Sequence, residues 1–353
     1  MSEPSRKEQS TLLLRSVATE DTLHRARLLE EVNSIYVTTD RDQELRMDID
    51  TMLANMMNPS TAEGYAVAVI GPPGAGKSTL VNRTLDTIPE LAPRDDGYGN
   101  AVEFCLRVQT PSSCTAKTLG AAIVKATGYP LEKTPNEDDL WNLVNARLQK
   151  KMHKIIFFDE FQHVLKGPKA KGGAHLTNTI KLLMQNIDWP VWIIIAGVPD
   201  TLEFVARDEW FQMERRTRPL EIDDLADTEG DIENTRAILE ALVEAAELTC
   251  EIPLTDLFIR RLMHAGLWRF GMTIQLIKMS IERALWDSAS GSNLTYDHFV
   301  NGYKRMSSCS KLSNVFLSDD WQHIQREVTP KGRLTGTYKT ISRDPASSTE
   351  SAI

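Results

Sequence analysis

No apolar run in the sequence approaches the ~20 residues needed to cross a bilayer, and the first residues, Met1 to Glu8, are polar where a secretory leader carries an apolar segment. Neither a membrane span nor a leader is expected, and the chain reads as cytoplasmic. Cysteine is scarce: Cys105, Cys114, Cys250 and Cys309 stand too far apart for a C-x-x-C metal or redox site, and four in 353 residues make no disulfide framework. They read as reduced thiols. Positive charge is also short, with 40 Lys and Arg against 49 Asp and Glu, a net charge of −9. A nucleic-acid partner would have to be met by a local basic surface, since the global charge neither requires nor excludes one.

What is there is the composition of a soluble globular protein, 41% hydrophobic and 25% charged, in a length that suits one large or two ordinary domains. The chain turns on one stretch. An apolar run over 65–70 is followed by Gly71, Pro72, Pro73, Gly74, Ala75, Gly76, Lys77, Ser78 and Thr79, with a helical pattern beginning near Lys77. This matches the strand, G-x-x-x-x-G-K-S/T, helix pattern in spacing and context. Glycines let backbone N–H groups close around phosphate oxygens, and the helix N-terminus adds about half a positive charge behind them. Lys77 would reach the β- and γ-phosphates of ATP, and Ser78 would ligate Mg²⁺.

Apolar periodicity predicts strands over 65–70, 102–109, 154–158 and 191–196, with helices over 77–87, 115–127, 137–150 and 174–187, the alternation a parallel sheet requires. Ahead of it, amphipathic stretches over 20–34 and 41–57 make residues 1–63 a helical extension. An extended piece between them places Tyr36 and Val37 either against an adenine ring or in the core. Residues 221–247 hold ten acids against one base, Arg236, while Ile238, Leu239, Leu242 and Val243 recur at helical spacing, so the acids read as a solvated helical face. Helices over 254–265, 271–288 and 295–305 then give a small all-helical domain over 225–310. Residues 311–353 are expected to be a tail, polar beyond about 325 and partly disordered. The expected fold class is α/β: a P-loop core over 64–224, a parallel sheet flanked by helices, followed by that helical domain.

The predicted strand over 154–158 ends in Asp159 and Glu160, some eighty residues after Lys77. At the C-terminal edge of a parallel sheet Asp159 would hold Mg²⁺ and Glu160 would orient or deprotonate the attacking water, which favours hydrolysis over transfer to a substrate hydroxyl. Arg215 and Arg216 come late in the core; they either project toward a neighbouring subunit's γ-phosphate or form ordinary surface ion pairs. Lys166, Lys169 and Lys171, with glycines and a proline and no acid between them, read as a flexible loop, either a phosphate-contacting surface or simply solvated.

With P-loop, Asp-Glu, late arginines and a helical domain in that order, the sequence resembles the AAA+ superfamily. More closely it resembles the transposon-encoded ATPases TniB and TnsC, from about residue 35 to 300. The likeness includes the run from Tyr36 to Arg41, the P-loop, Pro111 to Thr115 leading to Leu119, Phe158 to His163, Ala196 to Pro199, and Arg216 followed by Pro219 to Ile222. It implies an ATPase that forms homo-oligomeric rings or filaments around duplex DNA and contacts a transposase and a target-selection adaptor. It also implies that Arg216, beside Arg215, acts in trans, and that Thr115 and Lys117 face the DNA backbone. Ala196, Gly197 and Val198 offer no side-chain donor where that family usually has one, which implies slow, switch-like hydrolysis. Competing functions are a replication initiator or helicase loader of the same fold and a nucleotide-switched scaffold that binds no DNA.

Overall fold

The computed structural model describes residues 6–58, 60–61, 63–99, 101–166, 170–202, 215–287, 292–324, 327–328 and 334–335. They belong to two compact units, Thr38–Asp224, and Met1–Val37 with Leu225–Ile353. Helices α1 (Arg6–Val17) and α2 (Glu20–Ser34) open the chain, and α3 (Asp40–Met57) follows. Thr39 and Asp42 cap α3 reciprocally, satisfying N–H groups that a helix start leaves unpaired. The extension expected over 1–63 is therefore divided. Val32 is buried in the core of the helical unit, whereas Leu45, Ile49, Met52 and Leu53 of α3 are buried against the sheet.

Five parallel strands build that sheet: β1 (Ala66–Ile70), β2 (Cys105–Gln109), β3 (Ile155–Asp159), β4 (Trp192–Gly197) and β5 (Thr217–Glu221), in the order β2-β3-β4-β1-β5. Because side chains alternate along a strand, each inner strand feeds two cores. Ala66, Ala68, Ile156, Phe158, Ile193 and Ile195 pack with α5 (Ala116–Ala126), α6 (Glu137–Lys150) and α7 (Ala170–Met184). Val67, Val69, Ile155, Phe157 and Ile194 pack with α3 and α4 (Lys77–Thr87). Burial on both faces explains why β1, β3 and β4 read as unbroken apolar runs. β5 was not expected: it carries Pro219 and polar residues, which a strand tolerates at the sheet's edge, where it pairs with β1 alone.

The helical unit gathers α8 (Glu229–Ala245), α9 (Asp256–Ala265), α10 (Phe270–Trp286) and α11 (Tyr296–Ser307) around one core that includes Leu239, Leu262, Ile277 and Phe299. On α8, Glu233, Glu240 and Glu244 are exposed opposite that core, the solvated face expected. Within the stretch expected to be a tail from 311, Val315, Phe316 and Trp321 are buried in the same core, and Arg261 donates to the carbonyls of Val315 and Phe316. Among the described residues, no helix is long and apolar enough to cross a membrane.

Candidate nucleotide site

At the C-terminal edge of β1 the chain turns into the P-loop. Gly71 N–H donates to Gly197 O at 3.2 Å, and a Cβ on Gly71 would lie 2.9 Å from both Cβ and the carbonyl oxygen of Ile222, so no side chain fits there. Gly74 and Gly76 adopt φ of 84° and 94°, the left-handed region that side chains disfavour. Gly76 is the N-cap of α4, so the helix's first N–H groups and the positive end of its dipole open onto the loop. Lys77 Nζ donates to the carbonyls of Gly71 and Pro72 at 2.8 and 2.9 Å, spanning the loop.

Two strands across the sheet from β1, beyond β4, β3 ends at Asp159. Ser78 Oγ donates to Asp159 Oδ1 at 2.7 Å, and the same oxygen accepts from Glu160 N–H at 2.9 Å. A hydroxyl and a carboxylate are the hard oxygen donors that Mg²⁺ takes alongside phosphate oxygens and water. Among the described residues no group of three or more His, Cys, Asp or Glu could hold a metal ion. Glu160 itself sits at φ 54°, left-handed although it is not glycine. Its carboxylate accepts from Gln162 Nε2, and His163 donates from Nδ1 to Thr110 O at 3.1 Å. Gln162 falls within the run from Phe158 to His163, yet no spacing rule assigns it a part.

The remaining expected residues lie elsewhere. Arg216 directly precedes β5, at the edge of the sheet opposite the P-loop, about 16 Å away along the strand. Its Nη2 meets both Glu63 oxygens at 2.8 and 3.0 Å. That hydrogen bond holds the Glu63 carboxyl below the ordinary carboxylate range. Arg215 is exposed. Tyr36 and Val37 are half-buried in the helical unit, Val37 against its core. Thr115 caps α5, accepting from Thr118 N–H at 3.2 Å, and Lys117 is exposed in that helix's first turn. Lys169 lies outside the described residues; Lys166 ends a 3-10 turn and Lys171 stands in the first turn of α7, so the expected loop is in part helix.

A family model described as bacterial TniB protein matches residues 27–226, more than half of the chain. No curated protein sequence matches it. Among solved structures, the Cdc6p protein of Pyrobaculum aerophilum superposes with a TM-score of 0.57 at 10% identity over 78% of this chain and 70% of that one. The ORC2 protein of Aeropyrum pernix, solved as ADPNP-ADP complexes, gives 0.55 at 17% identity over 79% and 72%. The ORC1 protein of the same organism, in complex with DNA, gives 0.55 at 16% identity over 82% and 75%. At such identities the likeness is one of fold.

Proposed function

Since the chain belongs to the TniB family and has the AAA+ fold, we propose that it is an ATP-hydrolysing regulator of transposition. It assembles on duplex DNA without reading the sequence and connects a target-selection factor to a transposase. The single observation that carries the hydrolytic part is Ser78 Oγ at 2.7 Å from Asp159 Oδ1, between the P-loop and Glu160. The P-loop N–H groups and Lys77 bind the phosphates of ATP, and Glu160 takes a proton from the attacking water. Ser78 and Asp159 would hold Mg²⁺, which would neutralise phosphate charge when bound. Arg215 and Arg216 stand on the far edge from their own P-loop, which supports action on a neighbouring copy's γ-phosphate; Arg215 is exposed for that contact without disturbing the Arg216–Glu63 pair.

DNA binding by an acidic chain rests on local charge. Lys117 adds a cation to the exposed N-terminal turn of α5, and Lys166, Lys169 and Lys171 follow Glu160 in the sequence. The DNA-bound ORC1 neighbour shares the fold and supports this reading. The fold shared with the Cdc6p and ORC proteins also fits a second reading, a replication initiator or loader. Phosphate release tests the hydrolytic part: wild type should turn over ATP only with Mg²⁺, and Ser78→Ala should lose about tenfold or more in rate. Wild type releasing no phosphate with Mg²⁺ present would end the ATPase reading.

A further inference from the structure

Two residues beyond Glu160, Gln162 uses only half of its amide. Its Nε2 donates to Glu160 Oε2, while its Oε1 is shielded from solvent and meets no donor. Chemistry fixes that assignment, because a carboxylate oxygen only accepts, so the amide nitrogen is the atom at Glu160 and Oε1 is the atom left unpaired. Leaving a shielded acceptor unpaired is costly, and proteins keep few such groups. Two more unpartnered, shielded atoms stand at this edge: Thr110 Oγ1, one residue beyond β2, and Thr201 Oγ1, four beyond β4, the two strands that flank β3. The edge that carries the P-loop, Asp159 and Glu160 is thus built with hydrogen-bonding capacity that the chain alone does not use.

We propose that Gln162 is the second holder of the attacking water, accepting one of its hydrogens on Oε1 while Glu160 accepts the other. This rests on the ATPase reading of the same site. Water has two hydrogens to give; once both are taken, a lone pair is left to face the γ-phosphorus. In the step, the water oxygen bonds to that phosphorus and one water proton passes to Glu160. The bond from γ-phosphorus to the bridging oxygen breaks, its electron pair leaving on ADP. The other hydrogen stays on the phosphate product. Through Nε2, the same amide keeps the Glu160 carboxylate facing the water, which a residue at φ 54° needs because its backbone lies outside the usual regions. Glu160 supplies the base, and Gln162 supplies the direction.

The test uses the full chain and the variant Gln162→Met, which keeps length and volume without the amide. Its turnover should fall about tenfold or more. Its ATP affinity, from titration of a fluorescent ATP analogue, should stay within about twofold, and its melting temperature without nucleotide within about 2 °C. A Met variant that turns over at the wild-type rate overturns the inference, as does one that loses ATP affinity in step with turnover. Wild type that binds ATP and releases no phosphate overturns the ATPase reading and this inference together.

Discussion

Replacing Glu160 by glycine should leave the chain about as stable as wild type and unable to hydrolyse ATP. The backbone at Glu160 has φ 54°, a region where a residue bearing a side chain loses about 1–2 kcal/mol. Glycine is at home there but gains freedom in the unfolded chain, which takes back about 0.5–1 kcal/mol. Losing the hydrogen bond from Gln162 Nε2 to the Glu160 carboxylate takes back about 0.5–1 kcal/mol more, so the net expectation is a change within about 0.5 kcal/mol. Glu160→Gln is the matched control: it keeps the strained backbone and removes the base, so its stability should equal that of wild type while turnover is lost. Urea denaturation of the three proteins, alongside phosphate release, checks both halves. If Glu160→Gly unfolds about 1 kcal/mol more easily than wild type, the strain has been misread and the conformation is supported by contacts of the side chain.

A pH titration of stability should reveal the Arg216–Glu63 pair. Glu63 is held below the ordinary carboxylate range, so its contribution is present above about pH 5 and is lost as pH falls through the depressed value. With Glu63 nearly half exposed, the loss is about 0.5–1 kcal/mol, and Glu63→Gln should abolish that part of the pH dependence; an unchanged titration would count against the pair. Lys117→Ala should weaken DNA binding about equally for all sequences and reduce the slope of log affinity against log salt by roughly 0.9, the value for one phosphate. Replacing Lys166, Lys169 and Lys171 together by alanine should reduce it by up to roughly 2.7. An unaltered slope in both would put the DNA surface elsewhere.

The parts of the site that were legible in the sequence are those whose chemistry fixes spacing. Between Gly71 and Ser78 the loop must close on phosphates, and Asp159 must end a buried strand, so motif and apolar run together located the pair that meets at 2.7 Å. The parts that were not legible depend on packing at a distance. Residues 1–37 join the helical unit because Val32 finds its core there, a partner some two hundred residues away. β5 escaped because an edge strand needs no apolar alternation and tolerates Pro219. α7 begins at Ala170 through Gly172 and Gly173, residues of low helical propensity. Gln162 stands in the run from Phe158 to His163, but no spacing rule singles it out, since which amide atom finds a partner is a matter of three dimensions.

Whether ATP joins copies of this chain on DNA is read most directly by sedimentation, with electron microscopy, of the Glu160→Gln protein given Mg²⁺, ATP and a duplex of arbitrary sequence. The account predicts large assemblies when ATP and duplex are both present, smaller species when either is left out, and no assembly when Arg215 and Arg216 are also replaced by alanine. A protein that binds ATP and stays the same size with and without duplex would contradict it.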